Sequence, residues 1–378
     1  MAGIYIHIPY CKKICSYCDF YKIISPENKT ALLNALAAEA SLRASYLEGE
    51  KISTIYYGGG TPSVLRPDDF SLLNGHLRDL FSIDEDCEIT AELNPDDVDG
   101  EYLKGLKLAG INRISLGIQS WRDEDLKFLG RRHDATRAEK ALRDSIAAGF
   151  ENVTVDLIYG LPALTASQWE QTLDKTLTFD IKHISAYHLT IEEGTLLGKL
   201  KREGRLSEID EEESNNQFNV LIEKTEAAGF IHYEISNFGK EGYFSRHNTS
   251  YWKQVSYLGL GPAAHSFNKY SRQWNIRDVK KYIAAVNGNK TFWEMEELGI
   301  KTRFNEYIMT SLRTMWGADL EYVERVFEKE GYDYVKNLAG KFISYGLMKQ
   351  EGKSLILTTQ GKMISDNIIS EFMMAGPD

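Results

Sequence analysis

The chain has 378 residues, 43% of them hydrophobic and 26% charged, an ordinary globular composition with enough length for one large domain plus a smaller one. No stretch approaches the roughly 20 apolar residues of a membrane span, and the opening MAGIYIHIPYCKK has no positive n-region before an apolar run, so no membrane span and a cytoplasmic location are expected. A net charge of −11, from 55 acidic against 44 basic residues, disfavours a general role on nucleic acid, which needs clustered Lys and Arg.

From the N-terminus onward, β-rich runs recur at 3–8, 52–57, 87–92, 113–118, 152–158 and 183–188. Helical spacing of apolar residues fills the gaps at 28–47, 67–81, 135–148 and 166–179. Six such β/α repeats predict a parallel sheet in an α/β chain. Periodicity alone leaves two arrangements open, a wall of strands closing toward a barrel or an open doubly wound sheet. After a helix over 210–228 the pattern becomes irregular and aromatic-rich. Beyond about residue 295, helices at 303–315, 320–328 and 334–345 precede a hairpin-like run at 347–358. The chain therefore divides into 1–230, an irregular 231–294 packed on the first part, and a winged-helix-like 295–378. Without a dense basic patch, that last module is expected to serve structure or protein contact, not nucleic acid.

Three of the four cysteines, Cys11, Cys15 and Cys18, form C-x3-C-x2-C directly after the first strand, while Cys87 stands alone. Such a cluster in a reduced compartment points to metal or redox chemistry, not to a disulfide. Three thiolates on a short loop can hold three irons of a cubane and leave the fourth without a protein ligand. The alternative is zinc, which needs a fourth ligand from His7 or Asp19. Further polar or glycine-rich positions fall at the ends of successive strands: Gly58-Gly59-Gly60-Thr61, Glu92, Gln119 and Asp156. In α/β barrels the working residues gather at that rim. Arg131 is suited to grip a carboxylate there, with Arg132 its competitor.

With Tyr17 before its last cysteine, the C-x3-C-x2-C motif resembles the radical-SAM superfamily. The resemblance implies a partial (β/α)6 barrel with a mainly helical, winged-helix-like C-terminal domain. It implies a [4Fe–4S] cluster on Cys11, Cys15 and Cys18, with S-adenosylmethionine on the open iron. An electron donor such as a flavodoxin or ferredoxin would drive reductive cleavage to methionine and a 5′-deoxyadenosyl radical. The stretches Tyr5-Ile-His-Ile-Pro9, Cys18-Asp-Phe20, Tyr57-Gly-Gly-Gly-Thr61-Pro62, Gly117-Ile-Gln119-Ser120 and Asp156-Leu-Ile-Tyr-Gly160 are similar to the oxygen-independent coproporphyrinogen III oxidases and their relatives. By position, the implied S-adenosylmethionine contacts are Tyr5, Tyr17, Gly60, Thr61, Glu92, Gln119, Arg131 and Asp156.

Two features depart from the oxidases. Phe20 stands where their pattern carries a further cysteine, and Cys11 comes almost at once instead of after a long extension. In addition, His247-Asn248-Thr-Ser-Tyr251-Trp252 matches the H-N-x-x-Y-W pattern of the haem chaperones among the oxidases' relatives. This implies a haem site at His247, Tyr251 and Trp252, with His265 in reserve, and transfer of haem to an acceptor haemoprotein. Read without the resemblance, His247 and Trp252 only fasten the irregular segment to the barrel. The competing functions are coproporphyrinogen III decarboxylation and a zinc-bearing scaffold that recruits a partner.

Overall fold

A computed structural model describes residues 1–24 and 27–376. Strands β1 (Ala2–Ile8), β2 (Ile52–Gly59), β3 (Ile83–Leu93), β4 (Arg113–Gln119), β5 (Asn152–Tyr159) and β6 (His183–His188) lie side by side in chain order, all parallel. Crossover helices include Lys29–Leu42, Pro67–Leu80, Gly100–Leu108, Ala135–Ala147 and Ala166–Leu177. An order of 1-2-3-4-5-6 with no reversal is that of a barrel wall, and it excludes the doubly wound alternative. Alternation along β1 sorts its side chains. Ile6 packs among Leu36, Ala40 and Leu73 of the helices, while Tyr5 stacks on Tyr56 inside the wall. The start of β3 escapes a sequence reading because Asp84, Glu85 and Asp86 interrupt its apolar alternation.

The segment 231–294 is not irregular. It supplies β7 (Ile231–Glu234), β8 (Asn237–Gly239), β9 (Tyr257–Leu260), β10 (His265–Phe267), β11 (Ser271–Asn275) and the first two residues of β12 (Trp293–Glu297). These extend the wall at both ends into a 12-stranded sheet. β8 pairs antiparallel with β6, and β9 pairs parallel with β1. Strands of three to five residues are too short to show a period of two, which is why the sequence hides them. Between them, Arg246–Trp252 is a short helix whose Ser245 side chain accepts from the Asn248 N–H.

The extension is fastened by a buried polar knot. Glu39, fully buried on helix Lys29–Leu42, accepts from the Gly261 N–H at 2.8 Å, Asn275 Nδ2 at 2.7 Å and the Tyr282 hydroxyl. Arg43, one turn on, pairs with Glu39 at 3.3 Å and donates to Ser266 Oγ and Gln273 Oε1.

Position 295 falls inside β12, and a second hydrophobic core begins at Phe304. That core joins helix Ile300–Ser311 to β13 (Ala318–Asp319), β14 (Met348–Glu351) and β15 (Ser354–Leu357), in the order β13-β15-β14. The helical stretch Leu320–Ser344 is broken at Phe327 and Glu328, where Glu328 takes a φ of +60°, so two helices are present as the sequence predicts. Two closing helices, Thr359–Met363 and Ser365–Phe372, were not foreseen. None of the helices among the described residues is long and apolar enough to cross a membrane.

Candidate functional site

At the rim where β1 to β6 end, a cavity of about 580 Å³ opens, and Cys11, Cys15 and Cys18 all line it. Cys11 Sγ accepts from Thr61 Oγ1 at 3.3 Å, and Cys15 Sγ from Arg131 Nη1 at 3.3 Å. Burial pushes the Cys11 and Cys18 thiols up, which favours the neutral form until a metal takes the thiolates. Among the described residues, no three His, Cys, Asp or Glu side chains converge on one ion position. His7 is otherwise engaged, with Nδ1 3.1 Å from the Tyr5 hydroxyl and Nε2 2.9 Å from the Tyr21 carbonyl, and Asp19 is exposed. Three thiols spread around a volume suit a cubane better than a tetrahedral zinc.

The strand ends furnish the rest of the wall. Glu92 Oε1 accepts from the Tyr56 hydroxyl at 2.8 Å and Oε2 from the Gly59 N–H at 3.2 Å. Both Asp156 oxygens accept from Ser115 Oγ, at 2.9 and 3.0 Å. Burial raises Glu92 to about 7, with Asp156 adding to the rise, and burial raises Asp156 to about 6. Gln119 has a φ of +69°, a strained conformation for a residue with a side chain, and it sits just after a register shift in β4. Gln119 lines the cavity. Gly60 lies where the chain leaves β2 under the loop after β1, and a Cβ would stand 2.8 Å from Pro9 C and Tyr10 O. Close packing therefore suffices to require glycine there.

Of the two arginines, Arg131 lines the cavity, bonded to the Gly117 carbonyl and Cys15, with a buried Nε that has no partner among the described residues. Arg132 is held away by Asp97 at 2.8 Å and Asp96 at 3.5 Å. Tyr17 and Thr61 also line the cavity. Tyr5 stands behind it, its ring 6.2 Å from that of Tyr56, and Tyr56 forms the wall in its place.

The H-N-x-x-Y-W stretch reaches the barrel floor. His247 is 1% exposed, with Nδ1 2.8 Å from Thr54 Oγ1 and Nε2 2.9 Å from the Tyr251 hydroxyl. Its ring stacks 5.0 Å from that of Tyr56, and burial lowers it to about 3, so it is neutral.

The Radical SAM superfamily profile matches residues 5–176. The Heme chaperone HemW of Bacillus subtilis (strain 168) is 33% identical over 383 residues, 99% of this chain and 99% of the relative. That of Mycobacterium tuberculosis (strain ATCC 25618 / H37Rv) is 32% identical over 375 residues, 97% of this chain and 93% of the relative. The chain belongs to the HemW family. Among solved structures, the coproporphyrinogen III oxidase HemN of Escherichia coli, a radical SAM enzyme, superposes with a TM-score of 0.84 over 99% of this chain and 90% of that one, at 22% identity, and so shares the fold.

In this HemW-family chain Cys11, Cys15, Cys18, Thr61, Glu92, Gln119, Arg131 and Asp156 line one cavity, as the sequence resemblance implies. None of His247, Tyr251 and Trp252 lines this cavity. His247 and Tyr251 instead bond to each other one helical turn apart, and the motif residue that lines the cavity is Asn248. Tyr56, Asn248, Ser185 and Tyr187 also line the cavity and were missed. For Tyr56 the signal existed, since Thr54, Tyr56 and Gly58 share one face of an otherwise apolar strand.

Proposed function

We propose that this chain holds a [4Fe–4S] cluster on Cys11, Cys15 and Cys18, binds S-adenosylmethionine beside it, and receives haem for delivery to an acceptor haemoprotein. The observation that carries the first part is one cavity lined by three thiols, Arg131 and the half-buried carboxylates of Glu92 and Asp156. The haem part rests on full-length likeness to relatives named heme chaperones. A cytoplasmic setting and a flavodoxin- or ferredoxin-like electron donor belong to the same reading.

When bound, the cluster supplies an open iron and an electron to S-adenosylmethionine. The chain's own residues hold the cofactor around that chemistry. Glu92 offers carboxylate oxygens to a cationic amine, and Arg131, with a buried Nε unpartnered among the described residues, offers charge to a carboxylate. Binding a cation beside Glu92 ionises it, since opposite charge favours the charged form. From a resting value near 7, S-adenosylmethionine binding at pH 6 therefore releases a proton, and the release shrinks by pH 7.5. Calorimetry in buffers of differing ionisation enthalpy reads this directly. Equal release in wild type and Glu92→Gln would remove Glu92 from the role.

Phe20, 70% exposed at the cavity mouth, replaces the cysteine of the oxidase pattern. The anaerobically reconstituted chain, given S-adenosylmethionine and reductant, is offered hemin and coproporphyrinogen III in parallel. The expected result is a Soret change with hemin and no vinyl product above background. Product over many turnovers with no hemin binding reverses the reading in favour of the decarboxylase.

A further inference from the structure

A site for haem needs an axial ligand such as a neutral imidazole, a flat apolar wall and cations for two propionates. His247 cannot serve, because both ring nitrogens are already bonded and the ring is enclosed between Tyr56 and Tyr251. Reaching it would cost two buried hydrogen bonds and leave Thr54 and Tyr251 unsatisfied.

His265 is placed in the opposite way. It opens β10, is exposed, and its ring nitrogens have no hydrogen-bond partner among the described residues. Directly across the ladder is Trp274, with ring centroids 6.3 Å apart and an interplanar angle of 33°. The Trp274 indole N–H donates to Glu294 Oε2 at 3.1 Å, which fixes the ring on the sheet. Ser266 turns toward Arg43, so His265 and Phe267 share the other face, where Phe267 stacks on Tyr257 of β9. Arg272, paired with Phe267, is the diagonal neighbour of His265 on that face. It is engaged with Glu306 at 2.7 Å, whereas the exposed Arg277, two residues past β11, makes, among the described residues, only a 3.2 Å bond to the Asp19 carbonyl and a 5.9 Å approach to the Tyr21 ring.

We propose that His265 is the axial haem ligand of this chain, with Trp274 as the wall beside it and Arg277 as the propionate partner. The proposal rests on the haem reading above and moves its site from the buried histidine of the H-N-x-x-Y-W motif to an exposed one on the sheet extension. Haem there would sit outside the cluster cavity and open to solvent, as a cargo that must be handed on requires.

The test is hemin titration of the full-length, cluster-loaded chain, read by the Soret band and by the ligand field of the ferric iron. His265→Ala should weaken hemin binding about tenfold or more and change the ligation, with added imidazole restoring the wild-type band. Trp274→Ala should weaken binding several-fold without changing ligation. Because His265 is exposed, an unchanged cluster spectrum will certify the fold of its variant. A His265→Ala titration identical to wild type overturns the assignment while leaving haem binding intact, and so does a band lost in His247→Asn but kept in His265→Ala. Failure of the wild-type chain to bind hemin overturns both the assignment and the reading beneath it.

Discussion

Replacing any one of Cys11, Cys15 or Cys18 with alanine will reduce bound iron from about four atoms per chain to background after anaerobic reconstitution, because a cubane on three protein thiolates has none to spare. The loop itself survives such a change. It is anchored by backbone bonds from Cys11 N to the Ile23 carbonyl and from Ser16 N to the Leu129 carbonyl, which no thiol mediates. Cys87→Ala is the matched control. That thiol is 3% exposed within β3, far from the cavity lining, and burial lifts its pKa to about 12, so it behaves as a small hydrophobe. It should keep its iron and lose about 1 kcal/mol of stability to a small cavity. Iron analysis and the cluster absorption decide the matter. Full iron in a Cys15→Ala chain, or stoichiometric zinc in the wild type, would end the cubane assignment.

Glu39→Ala should be the most destabilising single change on the sheet extension, costing about 3–5 kcal/mol and lowering the melting temperature by on the order of 10 °C. The carboxylate is fully buried and accepts four donors: Arg43, Asn275, the Gly261 N–H and the Tyr282 hydroxyl. Its loss strands the guanidinium of Arg43, 5% exposed, without a counter-charge and frees the strands that Arg43 and Asn275 hold. Truncating one member of a buried pair costs more than the pair contributes, since the remaining charge stays desolvated. The double variant Glu39→Ala, Arg43→Met should therefore recover part of the loss. Thermal melts of the three variants give the answer, and a single-variant cost below about 1 kcal/mol would contradict the buried knot.

How far the sequence disclosed this molecule varied with segment length. β1, β2 and β4 to β6 carry runs of Ile, Val, Tyr and Leu bounded by glycines or turns, and each lies within about two residues of its expected place. The chain order of the wall was beyond periodicity, which is blind to neighbours, and only pairing such as Ile4 with Ile55 settles it. β8 and β10 are three residues each, held by partners far away in sequence, so local propensity says nothing of them. At the site, strand-end residues such as Glu92 and Asp156 were legible because an acid in an apolar run is costly unless it is used. Tyr5 and His247 lie off the cavity for a different reason. Both matched sequence patterns, yet whether such a ring faces the cavity or the layer behind it depends on which neighbour, here Tyr56, occupies the wall.

The parallel pairing of β1 with β9 bears on synthesis. Gly3 and Ile4 lie opposite Tyr257 and Leu258, so during synthesis one flank of β1 waits for a partner encoded some 250 residues later. At roughly 5–20 residues per second, that wait is on the order of 10–50 s. Meanwhile β2 can cover the other flank, but the edge beside the cysteine loop stays bare, with open N–H and C=O groups ready to pair with another chain. A nascent chain is therefore most exposed to misassembly during this interval. Pulse-labelled chains arrested before residue 257 should be protease-sensitive at the N-terminus, and chains released past Asn275 should be protected.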